Sequence, residues 1–300
     1  MKKLLLSLIM SAIIVSCHAQ SPVQISRLLI DPAITGAAGT ATVTVEAIGG
    51  SGQYVFLKTV GDVSTPDADG IFQDVEEGIT TFTVLDQADE NNFTQLTITN
   101  PANSLLERVD YVFEHPCAQT AFGSLRITAR AIEAVTELDP VLTQDDVPVG
   151  TPTVEFVDGN FLINFNAELG SGNFVMTLTP EQEVPPITGP NFNLIFNLVE
   201  SPEILVTVET TDATGAAGGT VTATASGGTG PFRFFLDGVQ APQTGTSATF
   251  GNVTAGLHTL RVEDVTNTLC AKVQAVTVNQ APPVVVNRIF EFIQTKFCNI

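Results

Sequence analysis

Side chains able to do chemistry are sparse in this chain and poorly placed for it. His115 and His258 are the two histidines beyond residue 20, and they stand far apart in sequence, so a histidine zinc site or a nucleophile-base pair cannot be assembled from them alone. His258 is expected to point outward from its strand. Acidic residues gather in two loop-like stretches: Asp62, Asp67, Asp69 and Asp74, then Asp86, Asp89 and Glu90. Hard oxygen ligands in loops suit calcium, and Asp67, Asp69, Asp86 and Asp89 are the candidate ligands. Their spacing lacks the EF-hand register and its distal glutamate, which leaves solvated loop charge as the plainer reading. Glu76 with Glu77, and Glu181 with Glu183, are sequence neighbours, whereas glycoside hydrolysis needs two carboxylates facing each other across a cleft. Gly49 to Gly52 and Gly227 to Gly230 look superficially like phosphate-binding loops, but no helical period follows either, so both read as turns. Ser51 and Ser171 do not sit in complete G-x-S-x-G elbows, because Gln53 and Asn173 stand where glycine is required. Phe235 is the exposed-aromatic candidate for sugar stacking; packing against a neighbouring strand or module is the competing reading.

The elements that must position these residues are strands. Val221, Ala223 and Ala225 alternate with Thr220, Thr222 and Thr224, the period of two that puts one face on a core and the other in water. Gly227, Gly228, Thr229, Gly230 and Pro231 break the pattern, since glycine tolerates positive φ and proline lacks a ladder donor. Phe232, Phe234 and Leu236 then share one face of a second strand, Asp237-Gly238 supplies a turn, and Leu260, Val262, Val276 and Val278 mark two more strands.

The same order occurs about 180 residues earlier, the signature of tandem modules. Thr35-Gly36-Ala37-Ala38-Gly39 matches Thr214-Gly215-Ala216-Ala217-Gly218, and Gly49-Gly50-Ser51-Gly52 matches Gly227-Gly228-Thr229-Gly230. Tyr54 and Phe56 answer Phe232 and Phe234; Phe72, Val75 and Gly78 answer Phe250, Val253 and Gly256; Leu96 and Ile98 answer Val276 and Val278. At these residues the chain resembles the SprB-type repeat of large surface proteins and gliding-motility adhesins of Bacteroidetes. Residues 201 to 281 carry the pattern well; residues 21 to 101 depart from it at Ser51 and Gln53, where the family favours Thr and Pro. The resemblance implies an immunoglobulin-like β-sandwich with a spacer and adhesive role, and it carries no catalytic residues to transfer.

Residues 102 to 200 keep β character but lose most of these landmarks. Leu125 to Ala129 alternate, and Thr153 to Val157 and Asn160 to Phe165 flank Asp158-Gly159, a strong hairpin signal. This stretch is expected to be a divergent third sandwich, each of the three being large enough for its own core. The expected organisation is therefore all-β: a signal peptide at 1 to 20, modules at 21 to 101, 102 to 200 and 201 to 281, and a tail at 282 to 300.

Lys2-Lys3, the apolar run Leu4 to Val15 and the small residues that follow read as a secretory signal, too short to span a membrane. Ile14-Val15-Ser16-Cys17 resembles a bacterial lipobox, which would lipidate Cys17 and anchor the chain to the outer membrane; Ala19 before Gln20 offers ordinary cleavage instead. Cys117, Cys270 and Cys298 remain. The resembled family often places one cysteine near its first strand and another after its penultimate strand, and each module here keeps at most one of them. Unpaired or intermolecular thiols are the leading expectation, with Cys270 to Cys298 the alternative. The formal net charge of −20 argues against nucleic-acid binding, which depends on clustered Lys and Arg. In the tail, Val284 to Phe297 reads as a strand apolar on both faces; it either joins a sheet edge, of its own module or of another molecule, or is a frayed terminus.

The function these observations favour is a non-enzymatic, exported surface protein, adhesive or spacer, with no required cofactor. A carbohydrate-binding accessory protein of the outer membrane is the alternative. Its partner would be an extracellular surface, glycan or protein.

Overall fold

The computed structural model describes residues 21–31, 40–118, 122–182, 187–214 and 217–283. The stretch expected to be a signal, with Cys17 and Ala19, the matching glycine-alanine residues at 35 to 39 and 215 to 216, Cys298, and the tail from Val284 with its expected strand lie outside them. Alternating residues form antiparallel strands throughout, and no helix crosses either Gly-Gly turn.

The first module contributes β1 (Gln24–Asp31), β2 (Ala41–Ile48), β3 (Tyr54–Val60), β4 (Val63–Asp67), β5 (Ile71–Val75), β6 (Gly78–Asp86) and β7 (Phe93–Asn100). They lie in two layers, β1-β2-β5 against β7-β6-β3-β4. In the third module β17 (Leu205–Thr211), β18 (Gly219–Ser226), β19 (Phe232–Leu236), β20 (Val239–Gln240), β21 (Ser247–Val253), β22 (Gly256–Asp264) and β23 (Ala271–Val278) repeat this order, β17-β18-β21 against β23-β22-β19-β20. Val43, Phe72, Val84 and Leu96 are buried as the alternation requires, while Tyr54 is half-buried and its hydroxyl donates to the Gly49 carbonyl at 2.7 Å.

The middle stretch forms β8 (Leu106–Glu114), β9 (Gly123–Ala131), β10 (Glu137–Gln144), β11 (Val147–Pro148), β12 (Thr153–Val157), β13 (Asn160–Leu169), β14 (Gly172–Gln182), β15 (Ile187–Thr188) and β16 (Phe192–Leu198). Its layers, β8-β9-β13-β12 and β16-β14-β10-β11, have the strand order of the other two modules with β12 added at one edge. The expectation of three separate cores is corrected here. β1 pairs antiparallel with β8, Leu28 opposite Tyr111, and β7 pairs antiparallel with β16, Ile98 opposite Leu194. Both sheets therefore run without a break across residue 101, and one core holds Val43, Phe56 and Phe82 together with Tyr111, Phe165 and Phe196. The physical reason is that two sandwiches with bare edges satisfy each other's backbone groups by lying side by side.

A charged pair closes the outer surface of this seam. Arg27 Nε and Nη2 donate to the two oxygens of Asp110, at 2.9 and 2.8 Å, and Arg27 also reaches Glu46. Because the pair is bidentate but partly solvated, Asp110→Asn is expected to lower stability by about 1 kcal/mol, read from denaturant midpoints.

Candidate functional site

Where the fused pair meets the third module, buried polar groups converge. Cys117, just past β8, forms a disulfide with Cys270, which immediately precedes β23, with Cα atoms 5.5 Å apart. This overturns the expectation of free thiols or a pair with Cys298. The connection from β8 to β9 abuts the turn between β22 and β23, so the partners come from different modules, and Cys117 packs within the third core. Ser201 bridges to Cys117, its amide donating to the Pro116 carbonyl at 2.7 Å and its carbonyl accepting from Ala118 at 3.0 Å. Asn267 donates to the His115 carbonyl at 2.7 Å, and Gln24 donates to the Val199 carbonyl at 2.8 Å and to Ser201 Oγ at 3.1 Å.

His115 is buried beneath this joint. Its Nε2–H donates to the Ile25 carbonyl at 2.8 Å, and its Nδ1 accepts from the Val199 amide at 3.1 Å, an arrangement for the neutral ring. Burial pushes the imidazole down to about 4, and protonating Nδ1 would set it donor to donor against Val199. A depressed histidine binds its proton more readily unfolded, so its contribution is complete above the unfolded value and is lost as pH falls toward the folded one. Between pH ~6.5 and ~4 this loss should be about 3 kcal/mol. Denaturation of the wild type and His115→Gln across that window checks it: the wild type should show the steeper decline.

The glycine turns are built around carboxylates. Asp264 is fully buried and accepts from the Thr229 amide at 2.6 Å, Thr229 Oγ1 at 2.9 Å and the Gly230 amide at 2.9 Å, with further bonds from Thr266 and Asn267. Asp86 does the same in the first module, accepting from the Ser51 amide at 2.6 Å, from Ser51 Oγ and from Ala88 at 2.9 Å. A Cβ on Gly228 would fall 2.7 Å from Asp264 Oδ2, and one on Gly50 2.3 Å from Asp86 Oδ2, so only glycine lets the turn approach its carboxylate. Of the other calcium candidates, Asp67 Oδ1 accepts from the Asp69 and Ile71 amides, and Asp89 Oδ1 from Asn91. Among the described residues no group of three or more His, Cys, Asp or Glu is placed to hold a metal ion.

His258 does not point outward. It is buried, with Nδ1 at 2.6 Å from Asp237 Oδ2 and Nε2–H donating to the Thr254 carbonyl at 2.8 Å. The bond to Asp237 raises its pKa, the opposite sense to His115. Phe235 is half-buried, with the Arg261 guanidinium 5.5 Å from its ring centroid. A more open aromatic, with no local signal in the sequence, lies elsewhere on the surface. Phe93, 54% exposed, borders a cleft of about 320 Å³ with Gln95, Asn173 and Asn197. The cleft forms because β7 and β16 pair only from Thr97 to Thr99 and separate beyond. Glu76 and Glu77 are exposed, and Glu183 lies outside the described residues.

These observations define the class: an all-β protein of immunoglobulin-like sandwiches, two fused at their edges and a third clamped to them. No family model and no curated protein matches the chain. Among solved structures it is similar to the fibronectin(III)-like modules of Clostridium thermocellum CbhA, with 15% identity and a TM-score of 0.31 over 57% of this chain and 94% of that one. It is also similar to immunoglobulin domains 1–5 of sidekick-1, with 12% identity and a TM-score of 0.26 over 88% of this chain and 60% of that one. A three-domain immunoglobulin fragment of titin gives 11% identity and a TM-score of 0.22 over 88% of this chain and all of that one, 100%. At such scores the fold assignment stands on the strand order itself.

Proposed function

We propose that the protein is a non-catalytic, exported cell-surface protein whose immunoglobulin-like modules, of the SprB type, act as an adhesive or spacer array. The observation that carries this reading is that both joints between modules are fixed, one by strand pairing in both sheets and the other by a buried disulfide. A spacer must hold distant surfaces at a set separation, and flexible linkers would not. A disulfide also suits an oxidising compartment, in keeping with the leader and the lipobox before Cys17. The experiment is cell fractionation with surface proteolysis of the wild type and Cys17→Ser, joined to an adhesion assay on cells lacking the gene. Protein confined to the cytoplasm, or unaltered adhesion together with unaltered spacing of the surface layer, would sink the proposal.

The cleft beside Phe93 favours a second reading, a carbohydrate-binding accessory protein. An exposed ring beside neutral amides matches the alternating apolar and hydroxyl surfaces of a sugar. A glycan array with the wild type and Phe93→Ala separates the two: binding lost in the variant selects this reading. The proposal uses no cofactor, and calcium titration followed by thermal denaturation tests the loops of Asp67, Asp69 and Asp89.

A further inference from the structure

The cleft beside Phe93 is held open from the joint with the third module. β7 and β16 pair from Asn193 opposite Thr99 to Ile195 opposite Thr97, and continuing that register would set Asn197 against Gln95 and Val199 against Phe93. Instead these four residues line the cleft. The chain just past β16 is tied elsewhere: the Val199 amide donates to His115 Nδ1 at 3.1 Å, and the Val199 carbonyl accepts from Gln24 Nε2 at 2.8 Å. Both backbone groups of Val199 are thus engaged at the joint, and the gap is built into the fold.

Polar groups without protein partners face this gap. Thr94 lines it and is only 6% exposed, yet its hydroxyl has no hydrogen-bond partner among the described residues. A buried hydroxyl left in that state is costly, so the site favours a ligand that completes it. The Gln95 side-chain amide likewise has no partner among the described residues. Asn197 Nδ2 donates to Asn173 Oδ1 at 2.7 Å, which orients both amides and leaves Asn197 Oδ1 as an acceptor and Asn173 Nδ2 as a donor. The exposed ring of Phe93 stands beside them.

The chemistry of these groups selects the ligand. Amide and hydroxyl side chains both donate and accept, as each hydroxyl of a sugar does, while an exposed ring suits the apolar C–H face of a pyranose. Among the described residues that line the cleft none carries a charge. The adjoining strands continue in the same character, with Thr83 of β6 opposite Gln95 and Thr177 of β14 opposite Asn193. The other sheet of the fused pair differs, since ion pairs of Arg27 with Asp110 and of Arg126 with Glu114 lie on its outer surface. With a formal net charge of −20 and no cation in the cleft to offset it, the surface repels an anionic polymer and leaves a neutral one free to approach.

We propose, resting on the carbohydrate-binding reading of this cleft, that it is a preformed site for a neutral polysaccharide and rejects uronic-acid and sulfated ones. One sugar ring stacks on Phe93 while its hydroxyls bond to Thr94, Gln95, Asn173 and Asn197.

Native electrophoresis of the full chain tests this, in gels containing either a soluble neutral polysaccharide (a mixed-linkage β-glucan, a xylan or a galactomannan) or an anionic one (an alginate, a pectate or a sulfated galactan). A neutral polymer should retard the wild type, and Phe93→Ala and Asn197→Ala should each weaken that retardation about tenfold in apparent affinity. Both side chains lie at the surface, and unaltered migration in polymer-free gels identifies variants that have kept the fold. Retardation of the wild type by the anionic polymers, alone or alongside the neutral ones, overturns the neutral class while the carbohydrate-binding reading stands. Retardation by no polymer overturns both. Neutral retardation that both variants retain in full overturns the proposal by placing the site elsewhere.

Discussion

Replacing Cys117 and Cys270 together by serine will lower the stability of the third sandwich by about 4 to 5 kcal/mol. The bond joins residues with a sequence separation of 153, so its removal frees a long loop in the unfolded chain. Both sulfurs are buried, and Cys117 belongs to the third core although it follows a strand of the second module. The core shared by the first two modules contains neither cysteine. Denaturant unfolding should therefore show an earlier transition for the third sandwich and an unchanged one for the fused pair. A third-sandwich midpoint equal to that of the oxidised wild type would mean that the buried hydrogen bonds of Ser201, Asn267 and Gln24 hold the joint alone.

Strand identity is legible in the sequence because a half-buried strand writes its own period, as Val221, Ala223 and Ala225 do. The repeat is legible because the Gly-Gly turns recur, and their recurrence carries over to a common strand order. What joins the modules is not written locally. β1, β7, β8 and β16 alternate like strands whose outer edges face water, and pairing between edges is made by backbone groups that every sequence possesses. The disulfide is obscure for a related reason: each cysteine is solitary in its own module, and only the junction brings the two together. Two further signals are written in the sequence. His258 shares the parity of Leu260 and Val262, which places it on the inward face. Asp86 stands to its glycine turn as Asp264 stands to the other, a repetition that solvated loop charge does not require.

That repetition motivates the last expected result: Asp264→Ala will cost the third sandwich about 3 to 5 kcal/mol. The carboxylate gathers six hydrogen bonds, from the amides of Thr229, Gly230, Thr266 and Asn267 and from two threonine hydroxyls. Alanine leaves those amides facing a space with no acceptor, and the penalty falls on buried donors, where water compensates least. The disturbance reaches the joint as well, since Asn267 is held by Asp264 and in turn holds the His115 carbonyl. Asp264→Asn should recover only part of the loss, because its amide group must meet donors with a donor. Asp86→Ala provides the corresponding change in the first module, where Asp86 is also a candidate calcium ligand. A turn anchor destabilises equally with calcium or with chelator present, whereas a metal ligand destabilises only when calcium is there to be lost. Melting both alanine variants in the two buffers decides the role: a cost that vanishes under chelation assigns Asp86 to an ion, and one that persists assigns both aspartates to the turns that close their sandwiches.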